Sequence, residues 1–180
     1  MVLAFPDLYD IGTSHFGIQI LYHLLNQRTD CYAERVFCPA ADYEAQLREH
    51  RLALCSLETQ TPLKQFDIIG FSLLYELNFT NVLHMLNMSG LALRSKDRST
   101  KDPVIIAGGP CVSNPEPMAP FFDAMVFGDG ETVLPRMAEQ YMAWKRKGGH
   151  HKTKLLQSWA ESGHVYVPSF FEAKFDDHGF

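Results

Sequence analysis

Short, almost uniformly apolar runs recur along the chain and alternate with amphipathic stretches. Residues 2–5 (VLAF) are stopped by Pro6, and residues 33–38 (AERVFC) by Pro39. Residues 66–72 (FDIIGFS) are the richest in β-branched and aromatic side chains. Residues 104–107 (VIIA) run into Gly108-Gly109-Pro110, and residues 124–127 (AMVF) into Gly128-Asp129-Gly130. Runs that are apolar at successive positions predict strands covered on both faces, as in a parallel sheet. The Gly, Pro, Asp and Ser residues behind them let the chain turn.

Helical periodicity fills the gaps. Residues 14–26 place Phe16, Ile20, Leu21, Leu24 and Leu25 on one side, with Asp10 and Ser14 as candidate caps. Residues 42–50 form a shorter, more charged segment, and residues 77–88 carry Val82, Leu83 and Leu86 as a stripe. Residues 131–147 present Leu134, Met137, Ala138, Tyr141 and Met142 inward. They close on Lys145-Arg146-Lys147, a basic end that complements the helix dipole. Five strands with intervening helices predict an α/β fold: a doubly wound, five-stranded parallel sheet, flavodoxin-like in the order 2-1-3-4-5.

After Gly149 the character changes. His150-His151-Lys152 reads as a polar hinge, residues 155–160 as one more helix, and residues 165–167 as a short strand before Pro168. Phe170, Phe171, Phe175 and Phe180 crowd the end, where aromatic side chains are costly to leave in water. Such a tail packs either on a part of a longer protein or back on this domain. The chain divides on this reading into a domain at 1–147 and a linker or tail at 148–180.

Composition narrows the classes. The chain has 180 residues and a net charge of −5, which disfavours a broad basic face for nucleic acid while leaving room for a local patch. No apolar run approaches the ~20 residues of a membrane span. The N-terminus lacks the basic region of a signal peptide, so a soluble, cytoplasmic domain is expected. Cys31, Cys38, Cys55 and Cys111 are spaced by 7, 17 and 56 positions, so no pair has the C-x-x-C spacing of a zinc or redox site. They read as reduced thiols, mostly packed.

Ligands of open parallel sheets bind beyond the carboxyl ends of the strands, where the winding reverses. The loops expected there supply the candidate binding residues. Ser14 and His15 follow the first strand and offer donors beside a helix start. Ser72 and Tyr75 follow the third and offer hydroxyls. Gly108, Gly109 and Pro110 follow the fourth, where two residues without side chains admit a flat ring close to the backbone. Gly128 and Gly130 follow the fifth, although Asp129 and Glu131 beside them repel phosphate. The phosphate-loop, dinucleotide, nucleophile-elbow and zinc-protease motifs are all absent, and no catalytic constellation is evident.

The stretches FPDLYDIGTSHFGIQILYHLLN, DIIGFSLLYELNFTNVLHML, IIAGGPCVSNPEPMAPFFDAMVFGDGETVLP and VYVPSFF carry a resemblance. Over residues 1–147 the chain resembles the N-terminal cobalamin-binding-like domain that precedes the catalytic barrel in a class of radical S-adenosylmethionine (radical SAM) proteins. More narrowly, it is similar to a family of them whose reaction is not established. The resemblance implies that the sheet's carboxyl edge faces the barrel, and that in cobalamin-using relatives the corrinoid lies across Ser14, His15, Ser72, Tyr75, Gly108, Gly109, Pro110, Gly128 and Gly130. It also implies a 4Fe-4S cluster and S-adenosylmethionine in the barrel of the same polypeptide, acting on an unknown substrate.

Two departures qualify this expectation. The Asp-x-His-x-x-Gly signature that supplies a histidine below cobalt is absent, since the nearest residues run from Asp10 through His15 to Gly17. Cobalamin here would therefore lack that axial ligand. The Cys-x-x-x-Cys-x-x-Cys cluster motif is also missing, so the cluster is expected beyond Phe180 and this chain alone is not catalytic. Two other readings share the fold. One is a degenerate module for interdomain packing or partner recognition, and the other a small free-standing flavin- or nucleotide-binding protein.

Overall fold

The structure is a computed structural model that describes residues 1–172 and 174. Phe175 and Phe180 lie outside the described residues. Six strands form one sheet in the order β2-β1-β3-β4-β5-β6. They are β1 (Val2–Phe5), β2 (Glu34–Phe37), β3 (Ile68–Ser72), β4 (Val104–Gly108), β5 (Ala124–Val126) and β6 (Val165–Tyr166). The first five are parallel, with Ala4 opposite Phe71 and Ser72 opposite Gly108. The doubly wound order 2-1-3-4-5 is thus the one the apolar runs predict. The sheet differs in gaining a sixth strand, antiparallel to β5, with Val126 opposite Val165.

Among the described residues six α-helices accompany it: α1 (Tyr9–Gly12), α2 (Phe16–Asn26), α3 (Ala41–Glu49), α4 (Phe79–Met88), α5 (Gly130–Arg146) and α6 (Lys152–Ala160). The pleat divides each strand between two cores. Val2, Ala4, Ile69, Phe71, Ile105, Ala107 and Met125 pack with Leu47 of α3 and Val82, Met85 and Leu86 of α4. On the opposite face, Leu3, Phe5 and Phe37 meet Ile18 and Leu25 of α2. Beside them, Ile68, Val104, Ile106, Ala124 and Val126 meet α5 and α6. The winding therefore reverses between β1 and β3.

The segment after Gly149 belongs to the same sheet. α6 folds back antiparallel on α5, with Trp159 fully buried and its Nε1 donating to the Met137 carbonyl at 3.2 Å. β6 then pairs with β5, while Phe170 and Phe171 remain exposed. No helix among the described residues is long and apolar enough to cross a membrane.

Local details correct the sequence reading. Tyr9–Gly12 forms a helical turn instead of an open loop, and α2 starts at Phe16 with His15 at its cap position. Neither Asp10 nor Ser14 caps it; the Ser14 hydroxyl donates to the Ile11 carbonyl at 3.3 Å. The buried face of α2 holds Ile18 and Leu25, whereas Phe16 and Ile20 are exposed. The apolar residues of this helix cover more than one face, so periodicity alone does not fix which side turns inward.

Candidate functional site

The loops leaving β1 and β3 are tied together across the point of reversal. Pro6 ends β1, and its carbonyl accepts from the side-chain amides of Asn78 at 3.0 Å and Asn81 at 2.9 Å. The Tyr75 hydroxyl donates to Asp7 at 2.7 Å, and that bond, followed by desolvation, raises the phenol above its ordinary range. Tyr75 is thus committed to holding the two loops together. It does not line the cleft between the sheet, α2 and α5, and neither does Ser14. These are the two candidate residues that the structure leaves outside.

The other seven come together. A cleft of about 310 Å³ lies between the sheet, α2 and α5, lined by His15, Ser72, Gly108, Gly109, Pro110, Gly128 and Gly130. Its origin is in the strand register. Gly70 and Ser72 of β3 and Gly108 of β4 share the face turned toward α2 and α5, where they supply almost no side-chain volume. Leu3, Ile18, Leu21, Ile106, Val126 and Leu134 make the walls apolar.

The two adjacent glycines have different jobs. Gly109 has φ +106°, and a Cβ there would lie 2.5 Å from the Leu73 carbonyl oxygen, so the backbone crossing itself requires glycine. Gly108 has no such constraint. A Cβ there would meet only Val126, at 3.9 Å, and would project into the cleft. The expected ring access therefore rests on Gly108, while Gly109 serves the fold.

No lysine or arginine lines the cleft, and Asp129 and Glu131 stand at its rim. Fixed charge thus disfavours phosphate and suits a neutral or cationic guest. The His15 ring packs on Phe5 with centroids 5.2 Å apart, and its Nδ1 is buried without a hydrogen-bond partner. Cys111, beside the Gly-Gly turn, packs partly against the core. Burial and then the Glu76 charge raise its thiol, which makes it a poor nucleophile. Among the described residues no cluster of three or more His, Cys, Asp or Glu side chains is placed to hold a metal ion.

Sequence reasoning missed Gly17, Leu21 and Gly70 as lining residues. Gly70 carried a signal, because a glycine inside a strand marks a close approach or an open space.

Residues 17–168 match the family of radical SAM proteins, N-terminal. The chain belongs to that family. A relative from Methanocaldococcus jannaschii, "Uncharacterized protein MJ0966", is 31% identical over 134 residues, covering 73% of this chain and 24% of its own length. The chain thus spans about a quarter of that relative's length. No solved structure matches it. In this radical SAM N-terminal domain, the family match takes in α2 through β6 and with them most of the cleft.

Proposed function

We propose that this chain is the accessory N-terminal domain of a radical SAM enzyme, positioning cobalamin or a substrate over a catalytic barrel carried by the same polypeptide. The observation that carries the reading is the glycine-floored, apolar cleft at the carboxyl edge of the sheet, in a chain of this family. Catalysis is assigned to the barrel, with its 4Fe-4S cluster and S-adenosylmethionine, as membership of a radical SAM N-terminal family implies.

The residues present fit part of cobalamin. A cleft of about 310 Å³ is at the small end of ligand pockets. It accepts one flat, uncharged ring system, and a whole corrinoid would have to spread outside, across the loops. Gly70 and Gly108 give such a ring room, Ser72 offers a hydroxyl on the same face, and the apolar walls exclude water from it. Cobalamin, when bound, supplies alkyl-transfer or radical chemistry at its cobalt.

A second observation supports the placement against a barrel. Phe16 is 78% exposed and Leu77 83% exposed, and with Leu8, Tyr9, Ile11 and Ile20 they surround the same edge. Exposed apolar side chains gathered at one edge are the kind of surface a neighbouring domain covers. They also favour the alternative in which the domain recognises its neighbour without any cofactor.

Titration of the purified chain with hydroxocobalamin, followed by the visible spectrum, tests the reading. Saturable binding is expected, weakened about tenfold or more by Gly108→Leu while the far-ultraviolet circular dichroism stays unchanged. A chain and a full-length polypeptide that both leave the spectrum unaltered would overturn the cobalamin assignment and leave the packing role.

A further inference from the structure

The strongest feature unconnected with the cleft is the corner where α5 ends and α6 begins. Residues 145–154 (KRKGGHHKTK) hold five of the chain's 16 Lys and Arg residues and two histidines, with no acid, in a protein of net charge −5. The helix dipole accounts for Lys145, Arg146 and Lys147 at the close of α5. It does not account for Lys152 and Lys154, which occupy the first turn of α6, the positive pole. That turn has neither an acidic residue nor a side-chain cap. A local rule broken in this way points to function when nothing compensates it. Lys152 is compensated by Asp123 at 2.9 Å, and Lys145 pairs with Asp67. Lys147 and Lys154 are exposed, and neither has a carboxylate partner among the described residues.

These groups surround a concavity. Gly148 (φ +100°) and Gly149 (φ +62°) reverse the chain and bring the His150 ring back over Gly148. Trp144 Nε1 donates to the His151 carbonyl at 3.0 Å and fixes the indole beside the turn. The resulting recess, about 370 Å³, is lined by Gln140, Trp144, Lys147, His150, His151 and Lys154. Gln140 Nε2 donates to the Ser158 carbonyl at 3.2 Å, which leaves its Oε1 buried with no partner. A buried acceptor without a donor calls for an explanation.

We propose that this recess binds a nucleoside phosphate. The lysines and histidines meet the phosphoryl oxygens through charge-assisted hydrogen bonds, and the indole of Trp144 takes the flat base. A base N–H or ribose O–H reaches Gln140 Oε1 once the side-chain amide turns outward, since that oxygen has almost no accessible surface as it stands. The recess and the cleft share no lining residue and use opposite halves of α5, Gly130–Leu134 for the cleft and Gln140–Trp144 for the recess, which at 1.5 Å per residue leaves about 9 Å along the axis between their nearest members. The nucleotide comes either free or as one unit of a single-stranded RNA, and both present the same chemistry.

The test uses this chain with adenosine monophosphate and with a short single-stranded RNA as probes. Trp144 fluorescence reports binding, because the other tryptophan, Trp159, is fully buried. Saturable quenching by at least one probe is expected. The Lys147→Gln/Lys154→Gln double variant, altered only at exposed positions, should bind about tenfold or more weakly. On RNA it should also lose about 1.4 from the salt slope, at ~0.7 per phosphate contact. Comparable affinity for the two probes identifies a free nucleotide as the ligand, and a much tighter RNA complex identifies the strand. An Arg48→Gln/Arg51→Gln control, at exposed positions at the end of α3 on the opposite face of the sheet, should bind as the parent does. The proposal falls if neither probe binds saturably or if the double variant binds undiminished. It also falls if the control loses as much, or if anionic phospholipid vesicles bind while both probes do not.

Discussion

Successive residues of β3 meet two different fates. Ile69 and Phe71 enter the core beneath α4, where Phe71 meets Phe122 edge-on at 5.8 Å between ring centroids. Gly70 and Ser72, on the other face, leave the floor of the cleft bare. The same contrast runs along β4, with Ala107 packed on one side and Gly108 open on the other. The cleft is thus made by withholding side chains at chosen positions of one face, while the opposite face carries the stability that such an omission forgoes.

That division gives three expectations. The largest concerns the packed face: Phe71→Ala removes a buried aromatic and should lower the unfolding free energy by about 3–5 kcal/mol, read from urea denaturation. A loss below about 1 kcal/mol would mean that this face is as loose as the other. The next separates the paired glycines. Gly109→Ala, at φ +106° and against the Leu73 carbonyl, should destabilise by about 2–3 kcal/mol. Gly108→Ala should stay within about 0.5 kcal/mol of the parent, because its new methyl group meets only open space and Val126. Equal effects at the two positions would refute the distinction drawn between them.

The smallest effect is at the outer strand. The Tyr166 hydroxyl donates to Glu116 at 2.6 Å, and desolvation, then that bond and the carboxylate's charge, push it up to about 12. A folded-state value raised above the ordinary 10 means that the stabilisation is complete below pH 10 and is lost as pH climbs toward 12. The urea midpoint should therefore fall less steeply across this window in Tyr166→Phe than in the parent. Parallel curves would show that the hydroxyl contributes nothing there.

The sheet was legible in the sequence because its strands are apolar at consecutive positions and end in turn-forming residues, which the two-sided burial of β1, β3 and β4 explains. The site was legible only as loops. Sequence order placed His15, Ser72, Gly108 and Gly128 at one edge, and the structure gathers them around one cleft. Tyr75 stands apart from the cleft because its hydroxyl has a nearer partner in Asp7, a contact across 68 positions that no local pattern announces. On α2 the predicted apolar side divides: Leu25 is buried and Leu21 packs on the core, whereas Phe16 and Ile20 stay exposed at the carboxyl edge of the sheet. Hydrophobicity alone does not distinguish a residue that builds the core from one kept for a partner.

The margins of the sheet carry a separate consequence. β6 is only two residues long, so that flank offers little unpaired backbone for another strand to extend. The opposite flank is occupied by the chain itself, where Leu57 N–H donates to the Arg35 carbonyl at 2.8 Å and the Glu58 carboxylate takes the Arg35 N–H at 2.7 Å. Edge-to-edge self-association is therefore blunted on both margins by different devices, and molecules held at high concentration are guarded against polymerising through their ribbons.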